Sequence, residues 1–550
     1  MKNIHKNLLL VILTFNFCFY SLSYSQNIPT IQWQNTIGGS SFDFLYSAEQ
    51  TTDGGYILVG YSYSNISGDK TENFIGSYGR SDYWIVKTDS SGNILWQNTI
   101  GGEYEEALTS IKQTTDGGYI LGGFSQSNAS GDKTENNYDT LCATFDYWIV
   151  KTDSLGNLIW DITIGGSDED RLLAIEQTAD NGFILGGFSR SNISGVKVEN
   201  NIGASPTTDY WIVKTDSLGN IEWQNTIGGS LYDYLYSIKQ TQDGGYILGG
   251  MSCSNISGDK TETCLWYGDY WIIKTDSLGT IQWQNTIGGN GNDALFSLVQ
   301  TSDGGYLLGG ESNSNISWDK TENSMGDFDY WIVKTNSVGN IQWQNTIGGS
   351  EGDFLESLQQ TTDGGYILGG WSLSNISGDK TQNNCDSTLG YPDFWIVKTD
   401  AAGSIQWQNT IGGSKNDKLH SIEQTIDGGY ILGGYSESDI SGNKTENCIG
   451  YSDYWIVKLT PETITSSVQT PYQQLPILIS PNPFTDKLNV TVNNSELSEI
   501  ILYDMTARKI MQMNFTNSIT LNTEQLAKGL YIYELRIKNG MSQKGKIVKD

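Results

Sequence analysis

Thr51-Thr52-Asp53-Gly54-Gly55-Tyr56-Ile57-Leu58-Val59-Gly60 is the stretch that decides the fold. Asp53-Gly54-Gly55 supplies the glycines that a tight turn needs at positive φ. The near-continuous apolar run that follows, Tyr56 to Ser62, reads as a buried strand, so the segment is the corner of a β-hairpin. The hairpin recurs at Asp116, Asp243, Asp303, Asp363 and Asp427, with Asp180-Asn181-Gly182-Phe183 as a variant. Two other segments keep step with it. Trp-Gln-Asn-Thr-Ile-Gly-Gly begins at Trp33, Trp96, Trp223, Trp283, Trp343 and Trp407, with a degenerate copy at Trp160. An aromatic pair ahead of Ile-(Val/Ile)-Lys recurs at Trp84, Trp148, Trp211, Trp271, Trp331, Trp395 and Trp455. Everything between Ile31 and Thr460 is therefore seven copies of a unit of roughly 60 residues.

Each unit resolves into four short strands, a to d. In the first unit strand a is Leu45 to Thr51, b is Tyr56 to Ser62, c is Tyr83 to Thr88 and d is Ile94 to Ile100. Along strand d, Ile31, Trp33, Asn35 and Ile37 share one face, and Gln32, Gln34 and Thr36 the other. No segment of the repeats has helical periodicity. Four antiparallel strands per unit is the pattern of a propeller blade, which cannot bury both faces alone and stacks face to face with its neighbours around an axis. The repeat opens with an orphan strand d, Ile31 to Ile37, and ends with a, b and c only, Leu419 to Leu459. The first strand can thus complete the last blade and remove the open edge, which an open solenoid would not require. The expected architecture is all-β: a seven-bladed β-propeller over residues 26–460, closed by its N-terminal strand, with a small β-sandwich after it.

Residues 1–25 read as a signal peptide: Lys2 and Lys6 are followed by an apolar run from Leu8 to Tyr20, and Ser23-Tyr24-Ser25 offers small residues for cleavage. No later segment is long and apolar enough to cross a membrane as a helix. Residues 461–474, rich in Ser, Thr, Gln and Pro, read as a linker, and residues 475–550 lose the repeat. Within them Leu488 to Val492, Ile500 to Tyr503 and Leu530 to Ile537 are strand-like.

Two resemblances add to this. The repeat resembles the Asp-Gly-Gly-Tyr-containing propeller-like repeats of exported proteins from gram-negative bacteria, a likeness that implies architecture and not activity. Its Thr-Thr-Asp-Gly-Gly turn is also loosely similar to the Asp-box hairpin of sialidases, a structural motif in that family. The C-terminal module resembles the sorting domain of type IX secretion substrates, through Ser480-Pro481-Asn482-Pro483-Phe484, Ile500-Ile501-Leu502-Tyr503-Asp504, Leu526-Ala527-Lys528-Gly529-Leu530-Tyr531-Ile532-Tyr533 and Lys546-Ile547-Val548-Lys549. It departs from that family at Ala507, where glycine is usual. The resemblance implies a partner, the type IX machinery of the outer membrane, and a mature protein released or attached to the outer cell surface.

Charge narrows the ligands. Residues 1–25 and 475–550 each carry +2, so the region between them carries −34 of the net −30. Such a surface repels nucleic acid and anionic membrane. Five cysteines follow the signal, Cys142, Cys253, Cys264, Cys385 and Cys448, without a CxxC pair, which disfavours zinc; Cys253 and Cys264 are close enough in sequence to form a disulfide. His420 is the one histidine after the signal, and it occupies a repeat position held elsewhere by Tyr46, Thr109, Ala174, Tyr236, Phe296 and Glu356, a pattern of tolerated variation rather than catalysis.

Structural positions repeat, whereas a ligand site on a ring breaks the repeat. The a–b and c–d turns are short and nearly invariant; the b–c and d–a connections differ from unit to unit, and their face is the expected binding face. Two sets of candidates lie there. Trp266, Tyr267, Trp318 and Tyr391 could stack on sugars or anchor a protein. Asp43, Glu106, Asp170, Asp233, Asp293, Asp353 and Asp417 each precede strand a and could ring one mouth of the channel and attract a cation, calcium being the hard ion such oxygens favour; otherwise they cap the d–a turn, and no cofactor is expected. Asn65, Ser67 and Asp69 in the b–c loop could also offer oxygens to calcium, although Val196 and Val198 in the third unit fit a scaffold loop better. The function expected from these features is non-catalytic binding of an extracellular glycan or protein. The alternative is a carboxylate-dependent enzyme such as a glycoside hydrolase, which should show acids that break the repeat near the axis.

Removing residues 475–550 should strand the protein in the periplasm; recovery of the truncated chain from the medium or cell surface at the full-length level would refute the sorting assignment.

Overall fold

The structure is a computed structural model that describes residues 25–76, 79–139, 143–204, 206–386, 390–465, 477–492, 497–504, 508–537 and 542–550. Residues 1–24 of the expected signal peptide 1–25, Cys142, most of the expected linker and Ala507 lie outside these residues. The chain divides into two compact units, one of Gln26–Thr463 and one that contains Ile464–Asp550.

The first unit is a series of four-stranded antiparallel sheets, each in the order a-b-c-d. In the first sheet these are Asp43–Gln50, Tyr56–Ser62, Asp82–Thr88 and Ile94–Ile100. Asp43 is thus the first residue of strand a and not a loop residue, because it is opposite Ser62 in the ladder. The orphan strand Ile31–Ile37 pairs with the last strand c, Asp453–Leu459, from Ile31 opposite Leu459 to Ile37 opposite Tyr454. It completes a sheet with Asp417–Gln424 and Tyr430–Ser436. The simple alternation expected for this strand is broken by a bulge between Ile31 and Trp33, which takes Ile31 off the face shared by Trp33, Asn35 and Ile37.

The invariant residues are those through which consecutive sheets touch. The Trp33 ring lies edge-on to Tyr56 of the first sheet, with centroids 5.6 Å apart, and Asn35 Nδ2 donates to Gly92 O of its c–d turn at 2.6 Å. A Cβ on Gly92 would sit 2.7 Å from the Trp33 ring, so that turn needs glycine for its φ of 84° and also for the approach of the neighbour. The Ile-Gly-Gly after strand d is as tightly held: a Cβ on Gly38 would fall 1.9 Å from Asp453 Oδ1. In each a–b turn the Asp is gripped by the Lys of strand c, as in Lys87 Nζ to Asp53 Oδ2 at 3.0 Å. Between them, strands b and c are buried almost throughout.

Sheet is linked to sheet by a tyrosine hydroxyl that donates to a tryptophan carbonyl: Tyr83 to Trp148, Tyr147 to Trp211, Tyr210 to Trp271, Tyr270 to Trp331 and Tyr330 to Trp395, at 2.9–3.1 Å. Tyr454 of the last sheet makes the same bond to Trp84 of the first at 3.0 Å.

The second unit packs Ile477–Ser480, Lys487–Val492 and Ser518–Asn522 against a sheet of Lys509–Phe515, Ser498–Tyr503, Gly529–Ile537 and Ser542–Lys549. Both sheets share a core that includes Phe484, Val490, Leu502, Leu521, Leu535 and Ile547. Among the described residues, no helix is long and apolar enough to cross a membrane.

Phe394 stands where the other sheets have the linking tyrosine, and its ring meets Trp455 at 4.8 Å without a hydroxyl to donate. Phe394→Tyr should therefore stabilise the protein by about 0.5–1.5 kcal/mol, the net worth of one hydrogen bond. An unchanged or lowered midpoint in urea denaturation would show that this link contributes nothing.

Candidate functional site

The seven carboxylates that open strand a do not form an open ring. Asp43, Glu106, Asp170, Asp233, Asp293, Asp353 and Asp417 are fully buried. Each accepts the backbone N–H of the second glycine of Ile-Gly-Gly, as Asp43 does from Gly39 at 2.7 Å, Glu106 from Gly102 at 3.0 Å and Asp417 from Gly413 at 2.6 Å. Serines of the b strand and the b–c loop supply further donors, Ser62 and Ser64 for Asp43. The cation beside them belongs to the chain: Lys70 is buried over the Trp84 ring at 5.0 Å, with Asp43 and Asp82 nearby. Lys133, Lys197, Lys260, Lys320, Lys380 and Lys444 repeat this arrangement. The b–c loop that brings each lysine in is a latch. Its Asp69 accepts from Gly38 N at 3.2 Å, Ser67 Oγ donates to Asn65 O at 2.8 Å, and Glu72 accepts from Thr99 N at 2.6 Å. Its oxygens are committed to the protein. Among the described residues no group of three or more His, Cys, Asp or Glu is placed to hold a metal ion.

The loop aromatics are exposed. Trp266 is 60% and Tyr267 72% accessible, and the two rings meet edge-on at 5.7 Å. Trp318 is 61% accessible with φ 44°, at a position where the other copies have glycine in the left-handed region. Tyr391 is half-buried. None of the four is among the residues that line the cavities described below. Cys253 and Cys264 are free thiols rather than a disulfide; burial pushes the Cys253 thiol up to about 11.

The structure instead draws together residues within the strands. A cavity of about 280 Å³ is lined by strand a of every sheet, from Tyr46–Glu49 through Lys239 to His420–Glu423. At the end where the b–c and d–a connections lie, it meets a wider one of about 670 Å³ against the first four sheets. Three repeat columns build this mouth. The second residue of strand a runs Phe44, Ala107, Arg171, Tyr234, Ala294, Phe354, Lys418; the fourth runs Tyr46, Thr109, Leu173, Tyr236, Phe296, Glu356, His420. The sixth of strand b runs Tyr61, Phe124, Phe188, Met251, Glu311, Trp371, Tyr435. The third unit's place in the His420 column belongs to Leu173, not Ala174, because Leu173 is the fourth residue of its strand a, as His420 is of the last; Ala174 is aligned with Ser421. A bulge falls after the invariant Leu of every strand a and leaves the fourth residue outside the ladder, free to differ without disturbing the sheet.

The mouth has two halves. Toward the first four sheets it is aromatic, with Arg80 and Arg171. Toward the last sheets it is polar. His420 Nδ1 lies 3.7 Å from Glu356 Oε2, and Trp371 Nε1 donates to Glu356 Oε1 at 3.1 Å. The imidazole is stacked between Tyr46 at 4.7 Å and Tyr435 at 5.6 Å, and its buried Nε2 has no partner. Burial opposes ionisation of Glu356, but the hydrogen bond and charge of His420 and the Trp371 donor outweigh it and hold this carboxyl below its usual value. Glu311 goes the other way: burial, then the charge of Glu356, pushes it up to about 8. The sequence signal for the mouth was present in the His420 column, but variation there reads as tolerance until the bulge and the cavity show where it faces.

Residues 478–550 match the secretion system C-terminal sorting domain family. The chain carries a type IX sorting domain and is exported, to be secreted or held at the outer cell surface. The regulatory protein FlaEY of Caulobacter vibrioides is 24% identical over 169 residues, which are 30% of this chain and 18% of that protein, so the match spans less than a fifth of the relative. Among solved structures, Sqt1 from Chaetomium thermophilum is similar at a TM-score of 0.39 and 10% identity, over 78% of this chain and 100% of that one. A glycoside hydrolase family 32 protein from Bifidobacterium adolescentis is similar at a TM-score of 0.25 and 9% identity, over 94% and 95%. Likenesses this distant carry no argument about activity.

The buried acids set a pH dependence. Burial raises Asp43 to about 6, Asp170 to about 7 and Asp209 to about 8, with the charge of Asp453 adding to it at Asp43 and that of Asp233 at Asp209. A carboxyl with a raised folded pKa contributes stability that is full below its unfolded value and lost as pH rises through the folded one. The turn aspartates act oppositely. Against the cost of burial, Thr51, Gly55 and Lys87 hold Asp53 at about 2, and Asp180 and Asp303 are held likewise, so their contribution is lost as pH falls below the unfolded value of 3.8. Lys70, lowered by burial to about 8, is protonated in folded and unfolded chains alike below that pH. The melting temperature should rise from pH 8 to about 5 and fall again below about 4. A steady decline from pH 8 to 5 would contradict the assignment.

Proposed function

Taking export as the premise, we propose that the protein is a secreted or surface-held binding protein whose repeat region is a closed seven-bladed propeller, and that its ligand, an extracellular glycan or protein, enters the mouth where the strand-a columns diverge. Closure is supported by the pairing of Ile31–Ile37 with Asp453–Leu459 and by the Tyr454–Trp84 bond between last and first sheets. The observation that carries the binding function is the contrast within strand a. The first, third and fifth residues hardly vary and are committed to the scaffold; the second and fourth vary from copy to copy, and in the first four sheets they line a 670 Å³ cavity rich in aromatic rings. Small-ligand sites have this size and character. The exposed Trp266, Tyr267 and Trp318, with Tyr391, form an outer zone on the same face that a larger ligand would reach.

A second function is favoured by one observation. Glu311 and Glu356 break the repeat at the mouth, and their environments push their pKa values apart, one protonated and one ionised near neutrality. That is the pairing a carboxylate-dependent hydrolase needs for its acid and its base or nucleophile.

Glycan-array and protein-ligand binding by the full chain, followed by affinity measurements on variants, tests both. Tyr236→Ala should weaken the ligand found at least about tenfold, or ~1.4 kcal/mol, with an unchanged melting temperature. If Trp266→Ala weakens it and Tyr236→Ala does not, the site lies on the loops. Turnover of a bound glycan that Glu311→Gln abolishes would establish the hydrolase.

A further inference from the structure

The sequence contains five arginines, of which Arg508 and Arg536 belong to the C-terminal module. The three in the repeats, Arg80, Arg171 and Arg190, come from three different columns of the repeat and two different sheets, yet all lie at the mouth: Arg80 and Arg171 line the wider cavity, and Arg190 shares Glu169 with Arg171. Wherever the scaffold needs a cation it uses lysine, as in the buried Lys70 and the turn-binding Lys87. Within the repeats arginine is therefore reserved for one place, in a chain whose net charge is −30. Its planar fork suits two-point recognition of a carboxylate, which an ammonium does not match.

The forks are held but not filled. The Arg171 guanidinium lies 5.0 Å from the Phe124 ring and 4.8 Å from Phe145, which fixes its plane. Glu169 takes one nitrogen from Arg171 and one from Arg190, each at 2.6 Å, and the Nε of each arginine has no partner in the protein. Arg80 makes a long ion pair of 3.7 Å to Glu105 and lies 5.8 Å from the Tyr104 ring. With two carboxylates set against three guanidiniums, this part of the mouth retains one positive charge. Beside it, Tyr61, Tyr234 and Tyr236 offer ring faces and hydroxyls to the same cavity.

We infer that this pocket binds a carboxylate-bearing sugar, a uronate or sialate unit of an otherwise weakly charged glycan, with its carboxylate on Arg171 and Arg80 and its ring among the tyrosines. The inference rests on the binding function proposed above and specifies its ligand. Aromatic faces match the C–H faces of a sugar, and the volume of about 670 Å³ suits a short saccharide rather than a folded partner. A polyanion is disfavoured, because the rest of the region repels it.

The test uses the full chain on an array of uronate- and sialate-terminated saccharides with matched neutral ones, followed by titration of the best acidic saccharide and of its methyl ester. The acid should bind at least tenfold more tightly than the ester or the neutral match. Arg171→Lys, which keeps the charge and loses the fork, should reduce that preference to threefold or less with an unchanged melting temperature. Tyr236→Ala should weaken acid and ester alike. Equal binding of acid, ester and neutral saccharides that Tyr236→Ala still weakens would overturn the carboxylate assignment and leave the mouth as a glycan site. Binding of an acidic peptide but of no acidic glycan would overturn this inference and turn the proposed function to its protein arm. Failure of every array and protein probe would overturn both.

Discussion

A lysine ammonium buried between a tryptophan ring and the carboxylates of two strands of its sheet is the interaction on which the rest of the repeat region depends. Lys70 lies over Trp84 and donates to Thr99 Oγ1 at 2.5 Å, with Asp43 and Asp82 close by. Burying these charges is expensive, and the arrangement is tolerable only because every member is present; removing one partner of such a group typically costs about 3–5 kcal/mol. The lysine arrives on the b–c loop, the tryptophan on strand c, and the carboxylates on strands a and c of the same sheet. One cluster therefore ties the b–c loop to strands a, c and d of its own sheet, and the lysine over its tryptophan is repeated in every copy. This accounts for constancy in segments far apart in the unit, which no single turn or strand would require.

That rigidity is what allows the mouth to vary. Strand a is held at Asp43, Leu45 and Ser47 by the ladder and the core, while the bulge leaves Tyr46 outside the pairing. The side chains that face the cavity can change from tyrosine to threonine, glutamate or histidine without loss of a backbone hydrogen bond. The result is a scaffold with copies nearly identical in the sheets and different at one end, where aromatic, basic and acidic residues are sorted into two halves. The sorting is chemical as well as spatial: Arg171 is stacked on phenylalanines, whereas Glu356 is held by an imidazole and an indole.

Much of the fold was legible because the repeat makes each unit a control for the others. The four strands, their turns and the complementary ends are all local or periodic features. The pairing of Ile31 with Leu459 followed from the phase of the repeat alone. The shift of Asp43 into strand a, and of Ile31 off the face of Trp33, were not legible, since both depend on a bulge or on the partner strand rather than on the residues themselves.

The sequence by itself determined that this is an exported all-β repeat protein with a sorting module, because periodicity, turn chemistry and the motifs of residues 478–550 are properties of neighbouring residues. Tertiary structure alone decided where charge and aromatic surface end up. Asp43 and its equivalents, which look like an open acidic ring when read as isolated positions, are turned inward by glycine N–H groups, serines and a lysine from elsewhere in the unit. Arg80, Arg171 and Arg190, unremarked in the linear chain because they fall in unrelated columns, converge because the first and third sheets, with the second between them, bring the ends of strands b, c and a to one mouth. Burial and convergence are relations between distant segments, and a pattern read along the chain has no term for them.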